Sequence, residues 1–156
     1  AIPKTYGKIA CWKDHGFLVE MTCEEADPLR TYIKMNDPVS LDSGMEAFLG
    51  FWSEETPLYV NVEMNANGAT LIQYGTERTD RTFFTEEQIK ICQPQAVIEK
   101  NCWKTCFFLP FSALPFSTVC FSSKIAGILP IRNAMLLSSN SICLWFSISI
   151  SANPSS

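Results

Sequence analysis

From Leu58 to Asn65 the residues alternate without a break, Leu58, Val60, Val62 and Met64 against Tyr59, Asn61, Glu63 and Asn65. Side chains leave a strand on opposite faces at period two, so this pattern predicts a strand with an apolar core face and a polar outer face. Asn67-Gly68 follows, a pair suited to a tight hairpin because both residues tolerate positive φ. Ala69 to Tyr74 then reads as the return strand. Upstream, Met45, Ala47, Leu49 and Phe51 alternate with Glu46, Phe48, Gly50 and Trp52. The stretch from Leu41 to Arg81 is therefore expected to be an antiparallel meander of three strands.

The flanking segments are less regular. Ile2 to Trp12 alternates poorly around Gly7, which suggests an edge strand or a remnant of one, and His15-Gly16 suggests a turn. Phe17, Val19, Met21 and Cys23 fall on one face of a second strand. Glu24 to Pro38 carries acids and two prolines, which suits a long surface loop and not a central strand. After the charged loop Gly75 to Arg81, Thr85-Glu86-Glu87-Gln88-Ile89 has the capping pattern of a short helix or turn. Gln95 to Glu99 and Cys102 to Leu109 read as another hairpin joined by Lys100-Asn101.

Composition narrows the class. With 156 residues, one domain with a real core is expected; 47% hydrophobic and 18% charged residues suit a globular chain. A net charge of −4 with no basic stripe gives no reason to expect nucleic acid. Seven cysteines fall into no metal-ligand spacing, and His15 is the sole histidine, so neither metal nor cofactor is expected. Scattered buried thiols account for the cysteines better than disulfides, and that mildly favours a reducing compartment. The sequence starts at Ala1 without Met, and no signal peptide can be read from it, which leaves localisation unknown.

The chain changes character near Phe107. Beyond it there is no Asp or Glu, the only charges are Lys124 and Arg132, and serine becomes the commonest residue. Leu136 to Ile150 is apolar but interrupted by serines and Asn140, too short for a convincing membrane span. The expected division is residues 1–109 as an incomplete β-sandwich domain and 110–156 as an atypical tail. A shifted reading frame or wrongly joined end explains that tail more simply than a designed hydrophobic segment, which would risk aggregation.

Asp42-Ser43-Gly44-Met45-Glu46-Ala47-Phe48, then Tyr59-Val60-Asn61-Val62-Glu63-Met64-Asn65, then Asn67-Gly68 and the Arg78/Arg81 loop form an ordered series of motifs. Together they resemble the carbohydrate-binding family 9-like domains, related to the sugar-binding modules appended to xylanases. The similarity is best from Phe17 to Leu109, and nothing after it matches the family's Trp-rich and Phe-Gly ending. The resemblance implies an all-β, jelly-roll-like antiparallel sandwich, here with an irregular C-terminal part, and a mono- or oligosaccharide as partner. It implies a non-catalytic module, an accessory of glycoside hydrolases in carbohydrate catabolism. It also puts Glu46 and one of Arg78 or Arg81 at the positions of a carboxylate and a guanidinium working as a pair.

Sugar binding asks for an aromatic ring against C–H faces and charged side chains on hydroxyls. Trp52, Trp103 and Tyr59 are the candidate platforms; Glu46, Glu63, Arg78 and Arg81 are the candidate polar contacts. Each has a plainer alternative. Glu46 with Arg81 could be a structural salt bridge, Asn61 and Glu63 a solvated surface, and Trp103 and Phe107 core. Asp42-Ser43 fits a turn fixed by side-chain-to-backbone bonds. A glycosidase using Glu46 and Glu63 as acid and base is the competing activity, and a fragment with no intact site is the third reading.

Overall fold

The structure is a computed structural model describing residues 3–12, 14–52, 57–114, 129–131, 133–137 and 143–151, with side chains at 52, 57 and beyond 114 outside that description. Its strands are β1 (Thr5–Trp12), β2 (Gly16–Cys23), β3 (Gly44–Trp52), β4 (Pro57–Asn65), β5 (Thr70–Gly75), β6 (Thr82–Phe83), β7 (Gln95–Ile98), β8 (Trp103–Pro110), β9 (Leu129–Ile131), β10 (Asn133–Leu137) and β11 (Cys143–Ser151). They form two antiparallel sheets, β7-β8-β2-β1-β9 and β10-β11-β3-β4-β5-β6. Among the described residues there is one α-helix, α1 (Glu86–Ile91), which starts with the expected capping box between Thr85 and Gln88.

The alternation read from sequence sets which face is buried. Phe17, Val19, Met21 and Cys23 on one sheet meet Met45, Ala47, Leu49, Val60, Val62 and Met64 on the other in a single core. The Phe17 and Phe51 rings lie 6.1 Å apart between the layers. Trp103 and Phe107 join this core. Trp103 is therefore no platform: its indole N–H donates to Glu25 Oε2 at 3.1 Å while the ring is fully buried.

One further expectation needs correction. The β1 strand is not an edge: residues 7–9 pair with β9 on the side away from β2. Its poor alternation had hidden a strand supported from both sides. In the C-terminal part, which is described only in pieces, β11 pairs along β3 from Cys143 opposite Trp52 to Ser151 opposite Gly44. The remainder of the tail, 115–128, 132, 138–142 and 152–156, lies outside the described residues.

The β4–β5 hairpin is looser than a two-residue turn. Asn65 and Ala69 close the ladder (Asn65 N to Ala69 O, 3.2 Å), and of the Asn67-Gly68 pair only Gly68 takes positive φ, at 82°. The Asn65 side chain accepts from the amides of Asn67 and Ala69, which holds the extra residue in place.

Glu24 to Pro38 is a surface segment tied down by buried Asp42. The Asp42 carboxylate accepts from the amides of Thr31 and Tyr32, each at 2.9 Å, and from Asn65 Nδ2 at 2.8 Å. This is the side-chain-to-backbone role expected of it. Burial alone would raise the Asp42 pKa, but the bonds from Tyr32, Thr31 and Asn65 outweigh it and hold the carboxyl below its ordinary range.

Gly16 marks a close approach of β2 to β8. A Cβ there would stand 2.3 Å from Leu109 O and 2.8 Å from Pro110 Cα, both backbone atoms that cannot step aside. Gly16→Ala is expected to destabilise by about 2 kcal/mol through overpacking, read as a lower denaturant midpoint at unchanged slope. An unchanged midpoint would mean that the approach is soft.

Candidate functional site

The outer face of the β3-β4-β5 meander carries most of the candidate residues, and register sets them in rows. Glu46, Glu63 and Leu71 stand side by side; Phe48, Asn61 and Gln73 form the next row; Gly50, Tyr59 and Gly75 the third. Arg81, on the loop after β5, reaches back across the lower two rows. Its Nε donates to Tyr59 Oη at 2.6 Å, and its Nη1 donates to Asn61 Oδ1 at 3.3 Å and Gln73 Oε1 at 3.4 Å. The guanidinium also rests over two rings, 5.2 Å from the Tyr59 centroid and 5.8 Å from that of Phe48. Those rings are themselves 6.1 Å apart. A planar, permanently charged group held by three acceptors and two aromatic faces is a fixed donor.

The loop that holds Arg81 has its own brace. Asp80 accepts from the Thr76 and Glu77 amides and from the Thr76 hydroxyl. These bonds hold its carboxyl below the ordinary range, the Thr76 hydroxyl contributing most. Arg78 on the same loop is exposed.

The face is less wet than its polarity suggests. Asn61 is fully buried and Glu63 is 9% exposed, so these two are not a solvated surface. At the Leu71 end, Tyr32 from the surface segment and Val39 just after it pack against Leu71 and Ala69, walling off that side of the face. In this setting two glutamates directly opposite each other repel. Burial first, and the Glu46 charge second, push the Glu63 carboxyl up to about 7 against the pull of Arg81 and Arg78. One carboxyl of the pair is therefore poised between acid and anion near neutral pH.

The structure thus gathers Glu46, Glu63, Tyr59 and Arg81, with Arg78 close enough to act on Glu63 electrostatically. The expected partnership of arginine with carboxylate is different in detail. Arg81 gives its hydrogen bonds to neutral oxygens of Tyr59, Asn61 and Gln73, because Phe48 and Asn61 separate it by a row from Glu46 and Glu63. Tyr59 is in the site, but its ring is the rest for Arg81 and not an open platform. The Trp52 side chain lies outside the described residues. Sequence reasoning missed Asn61 and Gln73; their signal was the polar phase of β4 and its neighbour across the hairpin.

The amino-acid sequence matches the family model described as "Carbohydrate-binding family 9" over residues 2–120. The chain belongs to carbohydrate-binding family 9. A solved structure of similar fold comes from Bacteroides uniformis ATCC 8492, a protein named there as a candidate carbohydrate-binding protein. It shares 19% identity at a TM-score of 0.65, covering 96% of this chain and 71% of that one. At that identity the likeness speaks for the fold alone, an antiparallel sandwich. No curated protein matches the sequence.

Among the described residues, no group of three or more His, Cys, Asp or Glu is arranged to hold a metal ion. Cys11, Cys23, Cys92, Cys102 and Cys106 are free thiols. Among the described residues no helix is long and apolar enough to cross a membrane.

Proposed function

We propose that this family 9 domain is a non-catalytic module that binds a mono- or oligosaccharide on the outer face of β3, β4 and β5. Such a module would act as an accessory to glycoside hydrolases in carbohydrate catabolism, with neither nucleic acid nor membrane as partner. The observation that carries the reading is Arg81 fixed across Phe48 and Tyr59 beside the Glu46–Glu63 pair. Ionised and amide groups grip hydroxyls strongly once water is excluded, and aromatic ring faces pack against the C–H faces of a sugar. Glu46, Glu63, Arg78, Arg81, Tyr59 and Trp52 form the proposed contact set. The proposed unit is residues 1–109, with the acid-free 110–156 arising from a shifted frame; the nucleotide sequence around codon 107 tests that part.

Isothermal titration with mono- and disaccharides tests the binding. Glu46→Ala and Arg81→Ala are each expected to weaken any saccharide affinity at least ~10-fold, about 1.4 kcal/mol, with the fold retained by circular dichroism. Unchanged affinity in both variants would remove these residues from the site.

The raised pKa of Glu63 beside Glu46 favours one second reading, a glycosidase with a protonated acid next to an ionised carboxylate. Turnover of aryl glycosides that disappears in Glu63→Gln would establish it; absence of turnover with retained binding leaves the module.

A further inference from the structure

Asn61 stands at the centre of the outer face with half of its amide unused. Its Oδ1 accepts from Arg81 Nη1. The side chain is fully buried, and no acceptor meets its Nδ2. A donor sealed from water without a partner costs about 1–3 kcal/mol, and native structures keep few of them.

Arg81 has the same kind of surplus. Of the five N–H donors of a guanidinium, Nε is given to Tyr59, and Nη1 is given to Asn61 and Gln73. Among the described residues Nη2 has no hydrogen-bond acceptor. Two donor groups, one amide and one cationic, therefore lack acceptors where β4 meets the Arg81 loop. The Nη1 bonds, at 3.3 and 3.4 Å, are at the long end of the range, whereas Nε to Tyr59 is short at 2.6 Å. The long Nη1 bonds, not the short one to Tyr59, are those that an oxygen arriving at Asn61 would have to displace.

We propose, resting on the saccharide reading above, that Asn61 Nδ2 and Arg81 Nη2 together read two neighbouring hydroxyl oxygens of a pyranose. Asn61 is then a specificity-determining residue that accepts no substitute lacking a donor. Both groups only donate, so the sugar oxygens they meet act as acceptors, and those hydroxyl protons go to Glu46 or Glu63. The ligand class is a neutral sugar with an unsubstituted vicinal diol. A pyranose methylated or deoxygenated at the position facing Asn61 leaves that buried donor empty again, the situation in which a polar site discriminates most strongly, and the position facing half-buried Arg81 loses a charged bond.

The test is titration of the full chain with glucose, galactose, mannose and xylose, then with the monodeoxy analogues of whichever sugar binds best. The wild-type protein is expected to lose at least ~10-fold affinity toward analogues lacking one of two adjacent hydroxyls. Asn61→Asp keeps the oxygen that Arg81 uses and removes the donor. It is expected to bind the parent sugar at least ~10-fold more weakly and to become indifferent to one of those two hydroxyls, with the fold retained by circular dichroism. Equal binding by wild type and Asn61→Asp, or an unchanged hydroxyl pattern, overturns the role of Asn61 while leaving a saccharide site intact. Wild-type binding to none of the four sugars and to none of the disaccharides built from them counts against the saccharide reading itself and takes this inference with it. A crystal structure of the sugar complex checks the same point without a variant. Nδ2 on a sugar oxygen supports the assignment; Nδ2 on water with the sugar elsewhere defeats it.

Discussion

Asp42→Ala is expected to lower unfolding stability by roughly 3–5 kcal/mol, the largest effect of any single polar substitution in the described part of the chain. The carboxylate accepts from Thr31 N, Tyr32 N and Asn65 Nδ2 in a place without solvent. Bonds to a charged acceptor contribute about 1.5–3 kcal/mol each, and alanine would leave the Thr31 and Tyr32 amides unpaired and Asn65 Nδ2 with Tyr32 O as its remaining acceptor. The damage would spread in two directions, because Asn65 organises the β4–β5 turn and residues 31 and 32 fix the surface segment. Asp42→Asn keeps one acceptor oxygen and should cost less than alanine. Urea unfolding of the three proteins at pH 7 decides the matter. A change below about 1 kcal/mol for Asp42→Ala would show that water or relaxed backbone replaces the carboxylate. The sign with pH follows from the depressed pKa: the contribution is present above the unfolded value of 3.8 and fades as pH falls below it.

Glu63→Gln is expected to act in the opposite sense. The folded carboxyl sits at about 7 against an ordinary 4.5. Between those values the native state holds more protons than the unfolded one, so stability falls as pH rises through the window and levels off above it. At about 1.36 kcal/mol per pH unit, the penalty above pH 7 is about 3 kcal/mol. Glutamine removes the ionisation, so Glu63→Gln should match wild type near pH 4.5 and exceed it by that amount at pH 8. Glu46→Gln should narrow the window, since the Glu46 charge is the second cause of the shift, after burial, while Arg81 and Arg78 work against both. Denaturant midpoints at pH 4.5, 6 and 8 give the comparison. Parallel wild-type and Glu63→Gln curves would mean that Glu63 is already ionised in the folded protein. Asp42 and Glu63 together pull the stability optimum to mildly acid pH, because one loses its contribution below 4 and the other adds a penalty above 4.5.

These two carboxylates also show where sequence reading ends. Asp42 was legible: Asp-Ser-Gly before a strand is turn chemistry whatever the partners, and the side chain does fix backbone amides. Glu63 was placed on the correct face by alternation, but its environment was not. Period-two patterning says which face is turned from the core, not whether something else covers it. Here the cover comes from Arg81, across Tyr59 and Asn61, and from Val39 and Tyr32 at the Leu71 end. Trp103 took the plainer of its two readings, since an aromatic in an alternating segment is more often core than platform, and the second sheet closes over it here.

The hairpin makes the division sharpest. A two-residue Asn67-Gly68 turn would have put Tyr74 opposite Asn61; the extra residue closed by Asn65 and Ala69 puts Gln73 there instead. A shift of one residue exchanges the faces of a strand, so this turn decides that a glutamine and not a tyrosine holds Arg81.

The sequence by itself determined the strands β2 to β5, the capped helix, the inward set from Phe17 to Met64, and the family motifs on β3 and β4. All of these depend on local spacing, turn chemistry and side-chain period. Only the tertiary structure decided that Arg81 binds Tyr59, Asn61 and Gln73, that Glu63 titrates near neutral pH, and that β1 lies inside its sheet. Those outcomes come from contacts between segments far apart in the chain, where desolvation and facing charges are set by what arrives from elsewhere.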